Sequence, residues 1–273
     1  MLPEILKEIY IEMLKEEGID ITSKFTPNKI VKAEIKAKEE GVMAGNYELR
    51  IFFETFNIKV LKAMNDGEIF KKNDILFLIE GYSREILNVE RVALEILTRM
   101  CSIATMTRKF CEKVKNYNVK IAATRKTTPR FRYFEKRAVE IGGGDTHRLS
   151  LEDMVLIKDN HLVMFDNDVE KALKTAKENT SFSHKIEIEV RNKEQSLIAA
   201  KYADIIMFDN MSPEEVKECV KSVREINKNI ILECSGGINF ENVEEYAKTG
   251  VDIISIGMLT HSLKTIDISL EIL

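Results

Sequence analysis

Polar side chains recur at the ends of short apolar segments in the second half of the chain, and their types change along the sequence. The first two segments end in cations, the middle two end in carboxylates, and the last two end in small residues with glycine. In chain order these residues are Arg125 and Lys126, Lys158, Glu189, Asp209, Ser235 to Gly237, and Ser255 to Gly257. Cations bind anionic groups, carboxylates bind a divalent metal ion, and the backbone amides of small residues can approach a phosphate closely. We therefore expect a site for a phosphorylated sugar that reacts with an acidic partner.

A helix is predicted in the middle of a basic stretch, residues 124–148. The stretch reads TRKTTPRFRYFEKRAVEIGGGDTHR, and its first fourteen residues hold six cations against one acid in a chain whose net charge is −4. Its apolar residues recur at helical spacing, which predicts a buried stripe. The stripe consists of Phe131, Phe134, Ala138 and Ile141. Thr128 is expected to cap this helix, Pro129 to occupy its first turn, and the glycines at 142–144 to end it.

The cations of this stretch divide into two groups. Those of the predicted helix fall largely outside the apolar stripe, where solvation is the simpler explanation; they are Arg130, Arg132, Lys136 and Arg137. Arg125 and Lys126 precede the helix at a strand end, and His147 and Arg148 follow it in a polar loop. These four residues are the candidates for ligand contact. The other histidines are expected to be structural; they are His161, His184 and His261.

Six short apolar segments alternate with amphipathic helical stretches from about Ile121 onward. They read KIAATRK, MVLIKDNH, KIEIEV, ADIIMFDN, IILECSGG and DIISIGM. Such alternation is typical of a parallel sheet covered on both faces, and right-handed crossovers favour its closure into a barrel with ligands at the carboxyl ends of the strands. Because a complete eight-stranded barrel needs about 250 residues, residues 106–273 are predicted to form an incomplete α/β barrel of about six strands.

Residues 1–105 follow a different pattern and predict a separate domain of mixed helices and strands. KIVKAEIKAKEEGVMAG and FNIKVLKAMNDGEIFKKNDILFLIEG alternate as strands do and are broken by turn residues, and the helix VERVALEILTRMCSIATMTRKF follows. The segment 66–81 could suggest a lipoyl or biotinyl carrier, but it has no lysine at an isolated hairpin tip, so a structural hairpin is preferred. We expect the last residues of the chain to pack back on this domain.

Some of the predicted site features also have simpler explanations. The glycines of the last two segments suit tight strand-to-helix turns as well as phosphate binding. Glu187 and Glu189 share one face of a strand, where burial is costly unless the carboxylates are paired, which favours a functional role. Lys158 could be a cation for a carboxylate or pyrophosphate, or a Schiff-base nucleophile.

The composition excludes several classes of protein. The chain has 273 residues, of which 44% are hydrophobic, and its longest apolar runs are far shorter than the roughly 20 residues that span a bilayer. The N-terminus predicts an amphipathic helix and not a signal peptide, and four cysteines without metal-ligand spacing are expected to be reduced. The mild acidity argues against general nucleic-acid binding. These features predict a cytoplasmic protein without a membrane or nucleic-acid partner.

Seven motifs of the second half resemble those of a known family. They are ATRKTTP, EKRAVEIGGGDTHR, LEDMVLIKDNH, IEIEV, ADIIMFDNM, LECSGGI and VDIISIGMLTHS. In this order they resemble the quinolinate phosphoribosyltransferases, also called nicotinate-nucleotide pyrophosphorylases (carboxylating). EEGIDIT, EEGVMAG, DGEIFKKNDILFLIEG and ERVALEILTRMCSIATMT extend the resemblance over nearly the whole chain. Each motif is weak evidence alone, but the series is specific.

The resemblance implies a fold, a reaction and an assembly. The fold is an N-terminal α/β sandwich followed by an incomplete α/β barrel of the type II phosphoribosyltransferase kind. The reaction joins quinolinate to 5-phosphoribosyl-1-pyrophosphate with Mg²⁺, and it gives nicotinate mononucleotide, pyrophosphate and CO2 in de novo NAD synthesis. The assembly is a homodimer, which can associate further, in which Arg91 reaches the active site of the partner.

The resemblance also implies a role for individual residues. Quinolinate is expected to contact Arg91, Arg125, Lys126, His147, Arg148 and Lys158. The ribose phosphate is expected to contact Thr127, Ser235, Gly236, Gly237, Ser255, Ile256 and Gly257. The catalytic set is Lys126, Lys158, Glu189 and Asp209. The two carboxylates of this set are expected to serve the metal ion, directly or through water or the ribose hydroxyls.

The chain departs from the family pattern at positions that do not bind substrate. Glu95 replaces a common asparagine, Cys101 and Ser102 alter a helix, and Arg130 replaces a common glycine, where it is expected to add a cation near the mouth of the barrel. Three alternatives remain. They are a molybdenum-operon relative, whose group lacks the lysine found here as Lys158, a barrel lyase that uses Lys158 as a Schiff base, and a phosphate-binding module without turnover.

Overall fold

The computed structural model describes residues 1–273, and the chain divides into two compact units. The first unit contains Met1–Arg108, Pro129–Gly143 and Leu263–Leu273, and the second contains Lys109–Thr128 and Gly144–Ser262. A single boundary between residues 105 and 106 does not describe this division, because one helix and the last strand from the later part of the chain cluster with the first unit. The return of the last residues to the N-terminal part was expected.

The first unit is built on an antiparallel sheet. Its helices are α1 (Pro3–Glu17), α2 (Asn46–Thr55), α3 (Ser83–Val114), which continues past Arg108, and α4 (Arg132–Gly142), with a short 3-10 helix at Thr22–Lys24. Its strands are β1 (Ile30–Ala37), β2 (Gly41–Val42), β3 (Lys59–Ala63), β4 (Ile69–Phe70), β5 (Ile75–Tyr82) and β12 (Ile268–Ile272). Four strands pair in the order β12-β1-β5-β3, and β2 pairs with β4. In β1, Val31, Ala33, Ile35 and Ala37 alternate with more exposed residues and are buried, as the period of a half-buried strand requires.

Helix α4 differs from the helix predicted inside the basic stretch. It begins at Arg132 and not at Pro129, because Arg130 has a φ of +64°, a left-handed conformation that cannot continue an α-helix. The same φ gives a reason for the glycine that the family commonly has at this position. Arg130 belongs to the first unit and is not among the residues that line the cavity described below, so its expected place near the barrel mouth stays a prediction. Gly143, with a φ of +99°, ends the helix as predicted.

The buried face of α4 is more polar than its apolar stripe predicted. Phe134 and Ala138 are buried, but so are Glu135 and Lys136, which are 0% and 1% exposed. Glu135 accepts hydrogen bonds from the Arg99 guanidinium at 3.0 and 2.6 Å, which compensates the burial of its charge. The solvated position expected for Lys136 is therefore wrong. Tertiary contacts with α3 override the helical pattern here.

Cys101 and Ser102, which depart from the family pattern, lie inside α3 and contact other parts of the first unit. Cys101 is fully buried, and its thiol lies 3.6 Å from the carbonyl oxygen of Ala44. The Ser102 hydroxyl donates to the Thr98 carbonyl at 2.7 Å and accepts from the amide of Ile266 at 2.9 Å. Ser102 therefore fastens the chain just before β12, which is a structural role.

The second unit is the predicted α/β structure. Its strands are β6 (Lys120–Ala122), β7 (Val155–Ile157), β8 (Ile186–Val190), β9 (Ile205–Asp209), β10 (Ile231–Ser235) and β11 (Ile253–Ser255). Its helices are α5 (Asp159–Val163), α6 (Val169–Asn179), α7 (Lys193–Ala199), α8 (Pro213–Ile226), α9 (Val243–Ala247) and α10 (Met258–His261). All pairings in this sheet are parallel, and the order is β6-β11-β10-β9-β8-β7. Strands β6 and β7 thus form the two edges of the sheet and do not pair with each other, so the barrel is incomplete.

Local sequence accounts for several of these elements. Each strand lies in one of the six apolar segments, which confirms the strand prediction. Helix α8 begins at a capping box, because the Ser212 hydroxyl accepts from the Glu215 amide, the Glu215 carboxylate accepts from the Ser212 amide, and Pro213 occupies the first turn. No helix in the structure combines the length and the apolar character that crossing a bilayer requires.

Candidate active site

A cavity of about 470 Å³ lies at the carboxyl ends of the strands of the second unit. Most of the predicted site residues line it. They are Arg125, Lys126, His147, Arg148, Lys158, Glu189, Asp209, Ser235, Gly236, Gly237 and Ser255. Parallel strands that share one direction place their terminal side chains at one end of the sheet, which explains why residues so far apart in sequence meet here.

One part of the cavity concentrates positive charge. Arg148 is 8% exposed, and burial together with the positive charge of Arg125 lowers the pKa of its guanidinium, which nevertheless stays charged. The Nε of Arg125 is buried without a hydrogen-bond partner. Two guanidiniums that repel each other and one unused buried donor are features that an anionic ligand would satisfy.

A second part of the cavity pairs lysine and arginine with carboxylates. The Lys158 ammonium forms a hydrogen-bonded ion pair with Glu189. Arg191 donates to Asp159 at 2.8 Å, and its Nε lies 3.8 Å from an Asp209 oxygen. The carboxylates of Glu189 and Asp209 therefore both face the cavity, and each has a cation beside it that a ligand could engage.

A tight turn after β10 forms a third part of the cavity. Gly236 and Gly237 have φ values of +89° and +66°, and both are in the left-handed region that favours glycine. The Ser255 hydroxyl is buried without a partner, and the Ser235 hydroxyl donates to the Ser255 carbonyl at 3.3 Å. Because the two glycines have no Cβ, a phosphate can approach the backbone amides of this turn closely, so the turn suits a phosphate.

Four predicted residues are not among those that line the cavity. Thr127 turns back, and its amide donates to the Arg125 carbonyl at 2.9 Å. The amide of Ile256 donates to Ala122 across the sheet at 2.9 Å and is therefore already used. Gly257 lies close behind the site, since a Cβ there would stand 3.2 Å from Cδ of Lys126.

The fourth of these residues is Arg91. It is an exposed residue of α3 and belongs to the first unit. Exposure is ordinary for an arginine, and the expected contribution of Arg91 to a partner's cavity stays a prediction.

The cavity also contains residues that sequence reasoning did not select, of which Glu233 is the most buried. It is 0% exposed and accepts a hydrogen bond from Nε2 of His147 at 3.1 Å. Glu187, also 0% exposed, lies 3.8 Å from the same nitrogen, and burial together with the charge of Glu233 raises the pKa of its carboxyl group. Glu233 stands two residues before Ser235 and therefore on the same face of β10, and this spacing could have predicted that Glu233 reaches the cavity. Asp159, Arg191 and Asn210 were missed as well.

The cluster of His147, Glu187 and Glu233 has the residue types of a metal centre, with ligand atoms within 4.8 Å of one another. Its hydrogen bonds argue against that role. Nδ1 of His147 accepts from the Arg148 amide at 2.8 Å, so Nε2 carries the proton of the neutral ring and has no lone pair for a metal ion. We therefore interpret this cluster as a hydrogen-bonded support for the cavity.

The turn after β10 allows a direct test of the phosphate assignment. In Gly236→Ala, the new Cβ would stand 2.4 Å from Oδ1 of Asn210, in addition to a backbone strain of about 1–2 kcal/mol. Gly237→Ala is the matched control, because it has the same left-handed conformation but no heavy atom within 4 Å of the new Cβ. We expect the KM for the phosphoribosyl substrate to rise about tenfold or more in Gly236→Ala and clearly less in Gly237→Ala. A native KM for the phosphoribosyl substrate in folded Gly236→Ala would contradict the phosphate assignment, and equal increases in both variants would show that the contact with Asn210 adds nothing to the backbone strain.

Comparison with known proteins identifies the family. Residues 103–271 match the family model described as "Quinolinate phosphoribosyl transferase, C-terminal domain", and residues 20–101 match the N-terminal domain of the same family. The chain belongs to the quinolinate phosphoribosyltransferase family. The structure conforms to the fold expected for that family, an N-terminal sheet domain followed by an incomplete α/β barrel.

Individual relatives support the assignment to the quinolinate phosphoribosyltransferases. The chain is 45% identical to a probable nicotinate-nucleotide pyrophosphorylase [carboxylating] of Methanocaldococcus jannaschii, over 98% of this chain and 99% of the relative. It is 32% identical to the nicotinate-nucleotide pyrophosphorylase [carboxylating] of Rattus norvegicus, over 99% of this chain and 92% of the relative. The solved structure of the Francisella tularensis nicotinate-nucleotide pyrophosphorylase superposes with a TM-score of 0.92 at 32% identity, covering 100% of this chain and 98% of that one.

Proposed function

We propose that this chain transfers the phosphoribosyl group of 5-phosphoribosyl-1-pyrophosphate to quinolinate and releases pyrophosphate and CO2, so that nicotinate mononucleotide forms for NAD synthesis. It is thus a pentosyltransferase, a nicotinate-nucleotide diphosphorylase (carboxylating). The observation that carries this proposal is one cavity that combines the buried Arg148 and its neighbour Arg125 with the carboxylates of Glu189 and Asp209 and a left-handed glycine turn. Family membership over residues 20–271 supports it.

The guanidinium region suits the dicarboxylate. Two adjacent carboxylates on a pyridine ring repel each other, and several fixed cations compensate that charge and orient the ring nitrogen. We assign this role to Arg125, Arg148 and Lys158, with Lys126 between the dicarboxylate and the pyrophosphate. His147, whose neutral ring bonds to the Arg148 amide and to Glu233, serves the dicarboxylate by holding the loop that carries Arg148. The orphaned Nε of Arg125 supports this assignment, because a carboxylate would supply the acceptor that it lacks.

The glycine turn and the adjacent strand end suit the 5-phosphate. Ser235 to Gly237 offer amides and a hydroxyl at one side of the cavity, and the buried hydroxyl of Ser255 has no other partner. Ile256 and Gly257 then shape this part of the cavity from behind, and Thr127 shapes the loop that carries Lys126. Their effect on the phosphate is indirect in this arrangement.

Glu189 and Asp209 fit Mg²⁺ by the chemistry of their donors. Mg²⁺ prefers oxygen ligands and is usually held by one or two carboxylates together with substrate phosphates and water. Both carboxylates line the cavity beside cations, so a metal ion and substrate would rearrange the pairs that they now form with Lys158 and Arg191. When bound, Mg²⁺ would neutralise charge on the departing pyrophosphate.

The reaction needs no covalent enzyme intermediate. The bond from the anomeric carbon to pyrophosphate breaks with its electron pair on the leaving group, and the lone pair of the ring nitrogen forms the new bond. Positive charge develops on the ribose in this step, and the carboxylates of Glu189 and Asp209 stabilise it, while Lys126 and Lys158 hold the anionic partners in place. The carboxylate beside the ring nitrogen then leaves as CO2, its bonding pair stays on the ring carbon next to the pyridinium, and that carbon takes a proton.

The alternative reactions are less well supported by the site. A Schiff-base nucleophile must be a neutral amine, but Lys158 is an ammonium paired with Glu189. The molybdenum-operon relatives lack the lysine at this position, whereas this chain has it, and the relatives described above are pyrophosphorylases. A phosphate-binding module would not need the two carboxylates that face the cavity.

We further propose a homodimer in which Arg91 completes the cavity of the partner, and a higher oligomer is compatible with that arrangement. The exposed position of Arg91, outside the cavity-lining set, supports this proposal. The cytoplasmic location stays a prediction from the composition. A protein of the reducing cytoplasm should keep its four cysteines as thiols, which can be measured, and all four are free in the structure.

An assay with purified protein tests the function. With quinolinate, phosphoribosyl pyrophosphate and Mg²⁺, we expect equal amounts of nicotinate mononucleotide and CO2, measured by chromatography and by release of labelled CO2. Chelation of the metal should abolish product formation, and added Mg²⁺ should restore it, because the pyrophosphate would otherwise leave with uncompensated charge. Efficient ribosylation of nicotinate without turnover of quinolinate would show that the assigned substrate is wrong.

A further inference from the structure

The loop that carries His147 and Arg148 is held at two points. The Asp145 carboxylate accepts from the His147 amide at 2.8 Å, and the backbone of Asp145 bonds to Ile121 and Ala123 of the neighbouring chain segment. The second point is the imidazole, whose Nε2 lies 3.1 Å from Glu233 on β10. His147 itself has a φ of +52°, an unfavourable conformation for a residue with a side chain, so the loop depends on such contacts to keep its shape.

The hydrogen bonds of the ring determine its tautomer. Nδ1 accepts from the Arg148 amide at 2.8 Å and therefore carries no proton. Nε2 then carries the proton and donates it to Glu233, so each ring nitrogen has one defined partner. This pair of bonds connects a buried carboxylate on one strand to the backbone of the arginine that faces the cavity.

Glu233 and not Glu187 makes this contact. Both side chains are 0% exposed, but the oxygen of Glu187 is 3.8 Å from Nε2, beyond hydrogen-bond distance, and both Glu187 oxygens lack a hydrogen-bond partner. The two side chains thus share residue type and burial, and only Glu233 lies within hydrogen-bond distance of the imidazole. This difference offers a matched comparison.

We propose that Glu233 is a positioning residue of this enzyme, which fixes His147 as the Nε2-protonated tautomer and thereby holds the Arg148 backbone in the geometry that receives quinolinate. The proposal rests on the proposed function, in which Arg148 binds the dicarboxylate. Glu233 touches neither substrate in this scheme. Its effect is transmitted through the imidazole, as second-layer carboxylates orient histidines elsewhere.

Nuclear magnetic resonance of histidine-labelled protein tests the first half of the proposal without substrate. The chain has only four histidines, and the His147→Gln spectrum assigns the signals of residue 147. We expect ¹⁵N shifts typical of the Nε2-protonated ring in the native protein and in Glu233→Gln, because the glutamine oxygen can still accept. Glu233→Ala should give a mixture of tautomers, and Glu187→Ala should keep the native tautomer. An Nδ1-protonated ring in the native protein would overturn the proposal, whatever the variants do.

Steady-state kinetics tests the second half. We expect the KM for quinolinate to rise about tenfold to a hundredfold in Glu233→Ala, with the KM for phosphoribosyl pyrophosphate changed by less than about threefold, because a misplaced binding group costs that much. Glu233→Gln should recover most of the loss. An altered tautomer in Glu233→Ala with an unchanged KM for quinolinate would overturn the positioning role. Equal increases in the KM values for both substrates would also overturn it, because they would indicate a general structural defect. If the protein were inactive with quinolinate, the proposed function would fail, but the NMR experiment would still test the tautomer because it needs no substrate.

Discussion

Replacement of Arg148 by alanine is expected to lower kcat/KM for quinolinate by about a hundredfold to ten thousandfold. Arg148 is 8% exposed beside Arg125, and its guanidinium would form charge-assisted bonds with a carboxylate of the substrate. Removal of one partner from a buried, hydrogen-bonded charge pair costs about 3–5 kcal/mol, and each 1.4 kcal/mol corresponds to about a factor of ten. Initial rates over a range of quinolinate concentrations measure this effect.

Two further variants separate the causes of this loss. Arg148→Lys keeps a cation but loses the planar, two-pronged geometry, so we expect an intermediate loss of about tenfold to a hundredfold. Arg50→Ala is the control, because Arg50 is an exposed residue of α2 in the first unit. Its kcat/KM should match that of the native enzyme. A native KM for quinolinate in folded Arg148→Ala would remove Arg148 from the dicarboxylate site.

Mixing two inactive variants is expected to restore activity. Arg91→Ala and Arg148→Ala should each be nearly inactive alone. If Arg91 completes the partner's cavity, a mixed dimer places both substitutions in one site and leaves the other site intact. Random exchange makes half of the dimers mixed, so the activity should reach about a quarter of the native value.

The outcome depends on which chain Arg91 serves. If Arg91 served the cavity of its own chain, every site in a mixed dimer would carry one substitution and the activity would stay low. Differently tagged subunits and native mass spectrometry can verify that mixed dimers are present. Persistent inactivity in verified mixed dimers would contradict a shared site, and two native subunits with the same tags are the control for the exchange procedure.

The distribution of predicted and missed features has a physical explanation. All six strands of the second unit were predicted because continuous apolar segments with helices between them are a local pattern. Strand-end polarity then placed Arg125, Lys158, Glu189 and Asp209 at one mouth, since parallel strands share a direction. The family resemblance supplied the chemistry that these residue types left open.

The sequence by itself therefore determined the elements, their parallel arrangement and most of the residues around the cavity. Only the tertiary structure decided which distant residues touch. Glu233 and His147 are 86 positions apart, and no periodicity specifies their hydrogen bond. Helix α4 lies between two strands of the second unit in sequence yet belongs to the first unit, where contacts with α3 bury Glu135 and Lys136 against the expectation from the helical pattern. Local patterns depend on neighbours in the chain, whereas partners of buried charges depend on how the elements pack.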